Sequence, residues 1–138
     1  MRNINWEKNQ DILRNNISNL GIGRLLVHAD SFKSLGFIDF NENQDENLDK
    51  HVKLLSSLAP NVVLPFFNYG FPKTRLFNFN DFTCETGAIS EAFGLAQVKK
   101  TFDPMFSMSY TSELNCFGGY EKSVNTFQEN GIFSRLVT

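Results

Sequence analysis

The run VVLPFF, residues 62–67, decides the fold class of this chain. Six consecutive apolar residues without polar alternation are typical of a strand that is buried on both faces of a sheet. We expect this strand to end at Pro65. A shorter run at residues 24–28 predicts another strand. Between the two, residues 47–58 predict a helix with an apolar stripe at Leu48, Val52, Leu55 and Leu58.

The rest of the chain extends this alternation of helices and strands. We predict a helix at residues 5–20 that stops at Gly21, a long loop at 68–82, a helix at 87–96, a strand at 105–110 and one short helix in the tail. This order is typical of the α/β class. It predicts a three-layer α/β/α arrangement with a mixed sheet, formed by residues 1–138 as a single domain.

The composition excludes several classes of protein. The net charge is -2 and the pI about 5.6, so no excess of basic residues points to nucleic acid. No apolar run approaches the roughly 18 residues of a membrane-spanning helix, and the polar N-terminus does not resemble a secretory signal. We therefore predict a cytoplasmic protein without a nucleic-acid or membrane partner. The 15 phenylalanines must be buried in a core, or must form an exposed apolar patch if the fold is incomplete.

Two segments follow predicted strands, at residues 28–36 and 65–69. Ligands of open α/β sheets bind at the carboxyl ends of strands. Backbone amides in the stretch ADSFKS, residues 29–34, could hold anionic oxygens, with Lys33 adding a positive charge. The alternative is a capped turn into a short helix.

Few residues offer nucleophilic or metal chemistry. His28 beside Asp30 and Ser31 has the residue types of a catalytic triad, although a hydrogen-bonded structural histidine is the simpler interpretation. We expect His51 to face solvent. The two cysteines, Cys84 and Cys116, lack metal-site spacing and predict free buried thiols, although Cys84 precedes a predicted helix, where a thiolate could be stabilised.

Several stretches, taken together and in order, resemble the aminoglycoside 3-N-acetyltransferase family. VHADSFKSLG resembles the family's VHSSLSSLG, and VLPFF is similar to its LVMPTF strand. FN at residues 77–78, followed by TCETGAISEAF at 83–93, resembles FDP...TPSxxGALSEAF. KTFDPMFS at 100–107 and FQENGIFSRL at 127–136 are similar to RSxHPxxS and FGxxSxFxRL. The resemblance spans nearly the whole chain.

The resemblance implies an acetyl-CoA-dependent N-acetyltransferase of the kind that confers antibiotic resistance. Its acceptor would be a small-molecule amine, either an aminoglycoside or an amino sugar. The resemblance places Phe67 and Glu91 at the substrate. It places the following residues at acetyl-CoA: His28, Ala29, Asp30, Ser31, Phe32, Lys33, Ser34, Lys100, Thr101 and Ser107. It assigns no catalytic residue here, and no metal.

This chain departs from the family pattern in residue type and in length. Ala29 and Asp30 replace two serines, Phe66 replaces a threonine, and Asp103 replaces a histidine. Family members are about twice as long, and their second half carries an HxTxxHxxE motif whose histidine and glutamate are expected to activate the amine. We therefore expect a truncated chain that is inactive alone. The alternative is a non-catalytic half-fold that self-associates or binds a partner protein. A hydrolase using Cys84 or Ser31 is a third hypothesis.

Overall fold

A mixed sheet of four strands organises the computed structural model. The structure describes residues 5–30, 39, 41–78, 83–96, 99–101, 103–111, 127, 129 and 131–137. The elements in chain order are α1 (Trp6–Leu20), β1 (Arg24–Leu26), α2 (Gln44–Ser56), β2 (Asn61–Phe67), α3 (Phe71–Thr74), α4 (Ala88–Ala96), β3 (Lys99–Lys100), β4 (Phe106–Tyr110) and α5 (Ile132–Val137).

The spatial order of the strands is β1-β2-β4-β3. Strand β1 runs parallel to β2, with Leu25 opposite Val62, whereas β2 and β4 are antiparallel, with Leu64 opposite Ser109. The edge strand β3 is antiparallel to β4. The predicted α/β class and the mixed sheet are thus confirmed. The carboxyl ends of β1 and β2 and the start of β4 share one edge, which we call the carboxyl edge.

Strand β2 contributes side chains to two apolar clusters, one on each face of the sheet. Val62 and Leu64 point into the larger cluster, which they share with Ile89 and Phe93 of α4 and with four residues of α2 and the turn after it: Val52, Leu54, Leu55 and Leu58. Leu13 and Ile17 of α1 pack against the same cluster. Three helices therefore cover this face.

The opposite face is covered by α5. Val63, Met108 and Tyr110 form the smaller cluster, and Phe133 and Leu136 of α5 pack against it. The Arg24 Nη1 donates to the carbonyl oxygens of Arg135 at 3.0 Å and Leu136 at 3.2 Å. A guanidinium at the C-terminal end of a helix satisfies carbonyl groups that have no intrahelical partner. Helices thus lie on both faces of the sheet.

The close contact between α4 and β2 depends on Gly94. A Cβ atom at this position would lie 2.1 Å from Cδ2 and 2.3 Å from Cε2 of Phe66. Phe66 is only 3% exposed, so its ring has little room to move away. The ring also lies beneath the ammonium group of Lys100, whose Nζ is 4.9 Å from the ring centroid. The glycine therefore allows α4 to lie directly on the aromatic ring.

The side chain of Lys50 in α2 fixes the segment before that helix to α1. Its Nζ is 4.1 Å from the ring centroid of Trp6, 2.6 Å from Glu42 Oε1 and 3.7 Å from Asp39 Oδ2. The hydrogen bond to Glu42 raises the pKa of Lys50 above its ordinary value of 10.5; desolvation opposes this rise, and the charges of both carboxylates add to it. Cation–π contact and ion pairing thus act on one ammonium group.

Several predicted boundaries need correction. Strand β1 ends at Leu26 rather than at residue 28, and helix α2 spans Gln44–Ser56 rather than residues 47–58. Strand β2 does not end at Pro65 but continues to Phe67. The segment after β2 is not a simple loop, because it contains the short helix α3. Helix α1, its stop at Gly21, which has a left-handed φ of 61°, and the short helix near the C-terminus are confirmed. Within the described residues, the helices lack the length and apolar character that crossing a membrane requires.

Candidate functional site

The carboxyl edge is built where β2 ends beside the segment that leads into α4. The Glu85 N–H donates to the Phe67 carbonyl at 2.8 Å, and the Thr86 hydroxyl donates to the Pro65 carbonyl at 2.9 Å. The Tyr69 N–H in turn donates to the Glu85 carboxylate. The segment before α4 therefore pairs with the last residues of β2, on the same side of β2 as β1 but beyond the point where β1 ends.

Asn68 joins this edge to two other segments. Its Nδ2 donates to the Thr83 carbonyl at 3.0 Å, and its Oδ1 accepts from the Gly70 N–H at 2.8 Å. Its backbone N–H donates to the Met105 carbonyl at 2.9 Å. An asparagine that accepts from the second residue after it forms an Asx turn, which fixes the direction in which the chain leaves the strand. One residue thus joins the end of β2, the approach to α4 and the β3–β4 connection.

The connection between β3 and β4 is organised by Asp103, which is 4% exposed. Its Oδ1 accepts from the backbone N–H groups of Met105 at 2.9 Å and Phe106 at 2.7 Å. Hydrogen bonds to an ionised acceptor are stronger than those between neutral groups. Asp103, which stands where the family pattern has a histidine, is therefore a turn-forming residue in this chain.

Two of the residues that the resemblance places at acetyl-CoA lie inside this hairpin. Thr101 is 2% exposed and Ser107 is fully buried. The Thr101 Oγ1 accepts from the Met108 N–H at 2.9 Å, and the Ser107 hydroxyl points to the carbonyls of Thr101 and Asp103 at 2.9 Å and 2.7 Å. Their polar groups are engaged within the protein. We therefore leave both residues, and Lys100 with its ring contact, out of the proposed cofactor contacts.

The residues after β1 reach the same edge. The Val27 N–H donates to the Val63 carbonyl at 2.9 Å, which continues the pairing with β2 beyond the strand. Ala29 packs against the larger apolar cluster, whereas His28 and Asp30 are exposed. The expectation that His28 is a hydrogen-bonded structural anchor is therefore not supported. Ser31, Phe32, Lys33 and Ser34 lie outside the described residues.

Aromatic rings extend from the carboxyl edge toward α5. Phe67 and Phe106 meet edge-to-face with centroids 5.2 Å apart, and Phe106 meets Phe127 in the same way at 5.5 Å. Phe127 is stacked on Phe133, with centroids 5.2 Å apart and planes 5° from parallel. We call these four residues the aromatic platform. Phe67 was predicted at the substrate site, but no local pattern pointed to Phe106 or Phe127.

The predicted thiol and carboxylate candidates have ordinary roles. Glu91 is exposed in the first turn of α4, where a negative charge favours the helix dipole. The Cys84 Sγ is 3.0 Å from Thr86 Oγ1, whose single proton is directed at the Pro65 carbonyl. The neighbour of the thiol is thus a hydroxyl group, and the cysteine form of the hydrolase hypothesis stays a prediction. Cys116 lies outside the described residues.

Two buried polar atoms on α2 and α4 have no hydrogen-bond partner in the described part of the chain. They are Nε2 of His51 and Oγ of Ser90. His51 is only 7% exposed and its Nδ1 is 2.8 Å from the Asn47 carbonyl, so the expectation that it faces solvent is wrong. The stripe of apolar residues on α2 is wider than the sequence indicates, because α4 covers a second side of that helix.

Replacement of Ser90 by alanine is expected to raise the free energy of unfolding by about 1 kcal/mol, because it removes an unpaired buried hydroxyl from a helix. The matched change Ser107→Ala removes a buried hydroxyl that is hydrogen-bonded, and is expected to lower the free energy of unfolding by about 1 kcal/mol. Urea denaturation of both variants measures the two signs. Destabilisation by Ser90→Ala would show that the hydroxyl has a partner in the folded protein.

No described group of three His, Cys, Asp or Glu side chains is arranged to hold a metal ion. Comparison of the chain with protein-family models, with curated proteins and with solved structures gives no match.

Proposed function

We propose that the carboxyl edge binds acetyl-CoA, and that the protein is an N-acetyltransferase-like protein acting on an amino group of an aminoglycoside or amino sugar. The supporting observation is that separate family-like segments meet at one place in the fold. Segments that resemble the family lie far apart in sequence, yet hydrogen bonds and ring contacts bring Phe67, Glu85 and Met105 together at one edge. The fourth segment, at residues 28–30, follows β1 to the same edge.

The proposed chemistry is transfer of an acetyl group from a thioester to an amine. The amine nitrogen attacks the carbonyl carbon, the thiolate of CoA leaves, and the amine loses a proton. This requires a base for that proton and hydrogen-bond donors for the developing oxyanion. The proposal assigns cofactor binding to the carboxyl edge and assigns no residue to the base.

Asp30 is the residue that most directly tests cofactor binding at this edge. It is exposed four residues after the end of β1, where the family pattern has a serine, and its negative charge would oppose the phosphates of CoA. Two charges 4 Å apart in water interact by about 1 kcal/mol. Asp30→Ser is therefore expected to tighten binding of CoA roughly fivefold.

Isothermal titration calorimetry with CoA measures this effect. The matched control is Asp49→Ser, which removes the same charge from an exposed position on α2. It should leave the affinity for CoA unchanged. Equal tightening by the two variants would indicate a general charge effect and argue against a site beside Asp30. Absence of CoA binding by the wild-type protein and by Asp30→Ser would refute the proposed function.

A further inference from the structure

Phe127 presents one ring face to solvent although its orientation is fixed. Its other face is stacked on Phe133, and Phe106 contacts it edge-to-face. Phe127 is nevertheless 75% exposed. Exposed phenylalanine is unfavourable in water, and neighbouring rings on two sides limit its rotation. The open face is thus a preformed stacking surface.

The Phe67–Phe106 part of the platform lies at the end of the sheet toward which the chain after β1 runs. Phe106 is opposite Phe67 in the β2–β4 pair, and β1 is the next strand on the other side of β2. Neighbouring strands are about 4.8 Å apart, so roughly 10 Å separates Phe106 from the line of β1. Side chains alternate along an extended chain, and Arg24 faces α5. His28, four residues later, therefore falls on the face that carries the platform.

We infer that the open face of Phe127 stacks against the purine base of a nucleotide-bearing cofactor. This inference rests on the proposed function and identifies the part of acetyl-CoA that this surface would hold. A phenylalanine ring offers an apolar π-face and no donor, so it suits a planar heterocycle and not a phosphate. The phosphates then extend from the platform toward the chain that leaves β1.

The test compares CoA with S-acetylpantetheine, which carries the thioester but no nucleotide. Base–aromatic stacking contributes about 1–3 kcal/mol by alanine substitution, so Phe127→Ala is expected to weaken CoA binding by roughly fivefold to 150-fold. The same variant should leave the affinity for S-acetylpantetheine unchanged, and Phe127→Trp should retain CoA binding. Leu76→Ala is the control, because Leu76 is 81% exposed and belongs to the segment after α3. Circular dichroism confirms the fold of each variant.

Nuclear magnetic resonance supplies a direct signature. Stacking predicts upfield shifts of the adenine H2 and H8 protons of bound CoA, which are lost in Phe127→Ala. Adenosine diphosphate serves as the probe that separates the two proposals. If it binds in a Phe127-dependent manner while CoA does not bind, the platform is supported and the acetyltransferase proposal fails.

Three results would overturn the inference. The first is CoA binding that is unaffected by Phe127→Ala, which would leave the proposed function intact. The second is a wild-type protein that binds neither CoA nor adenosine diphosphate, which would defeat both proposals. The third is a dimer in sedimentation velocity that dissociates in Phe127→Ala without any change in nucleotide binding, which would identify the platform as a self-association surface.

Discussion

Replacement of Gly94 by alanine is expected to lower the free energy of unfolding by about 3 kcal/mol, at the upper end of what overpacking costs in a buried site. The added methyl group would approach Cδ2 of Phe66 to 2.1 Å, which is far inside van der Waals contact. Phe66 is held in the middle of the sheet between α4 and Lys100. The strain is therefore relieved only if α4 moves away from β2. Urea denaturation at neutral pH measures the effect.

Gly23→Ala is the matched control. A Cβ atom at Gly23 would have no heavy atom within 4 Å, and its φ lies outside the left-handed region, so the stability should change by roughly 0.5 kcal/mol or less. Phe66→Leu provides a second test, because it replaces the ring with which the methyl group of Gly94→Ala would clash. The double variant should be more stable than the sum of the two single changes predicts. Simple additivity would contradict the steric explanation.

Replacement of Asp103 by alanine is expected to destabilise the protein by about 3 kcal/mol, because two half-buried N–H groups lose a charged acceptor. Asp103→Asn keeps an oxygen at the same position for Met105 and Phe106 and loses only the charge. It should cost about 1 kcal/mol. Thermal unfolding followed by circular dichroism ranks the three proteins, and Asp49→Ala serves as an exposed control.

The result for Asp103 also decides between two roles. If Asp103 forms the hairpin turn, Asp103→Ala should be the least stable protein, Asp103→Asn intermediate and the wild type the most stable. The affinity for CoA should then fall only as far as the folded fraction falls. If Asp103→Ala remained fully stable while CoA binding disappeared, Asp103 would be a ligand-binding residue and not a turn-forming one.

Local sequence patterns predict four of the five described helices, all except α3. The spacing of apolar residues indicated α1, and Gly21 supplied the left-handed turn that ends it. The apolar stripe of α2 begins at Leu48, whereas the helix itself begins at a polar cap. Asn43 accepts from the Glu46 N–H at 2.9 Å while the Glu46 carboxylate accepts from the Asn43 N–H at 3.1 Å. This capping box is readable in the sequence as N-x-x-E.

The proline in β2 shows why a local rule can fail in a sheet. Val62 exchanges backbone and side-chain hydrogen bonds with Thr111 on the β4 side of the strand. Because residues alternate along a strand, Pro65 directs its backbone to the opposite side, where its carbonyl accepts from Thr86. The N–H that proline lacks is therefore not needed by the β2–β4 ladder. Only the pairing of distant segments reveals this.

The candidate site was predictable only as a list of segments. The sequence indicates that His28 and Phe67 follow or end predicted strands, which is where ligands bind in α/β sheets. Strands β1 and β2 are parallel neighbours, so both residues lie at the carboxyl edge. The burial of Ser107 and Thr101 was not predictable, because it arises when the β3–β4 hairpin closes on Asp103. Nor could the sequence place Phe127 beside Phe106, which lies 21 positions earlier in the chain.

The contact between Arg24 and α5 has a consequence for the order of folding. One of the first residues of the sheet donates to carbonyls near the end of the described chain, 111 and 112 positions away. Before α5 docks, Val63 and Met108 have no covering helix. A chain in which the strands pair first therefore exposes an apolar surface of the kind that favours chaperone binding, and docking of α5 removes that surface.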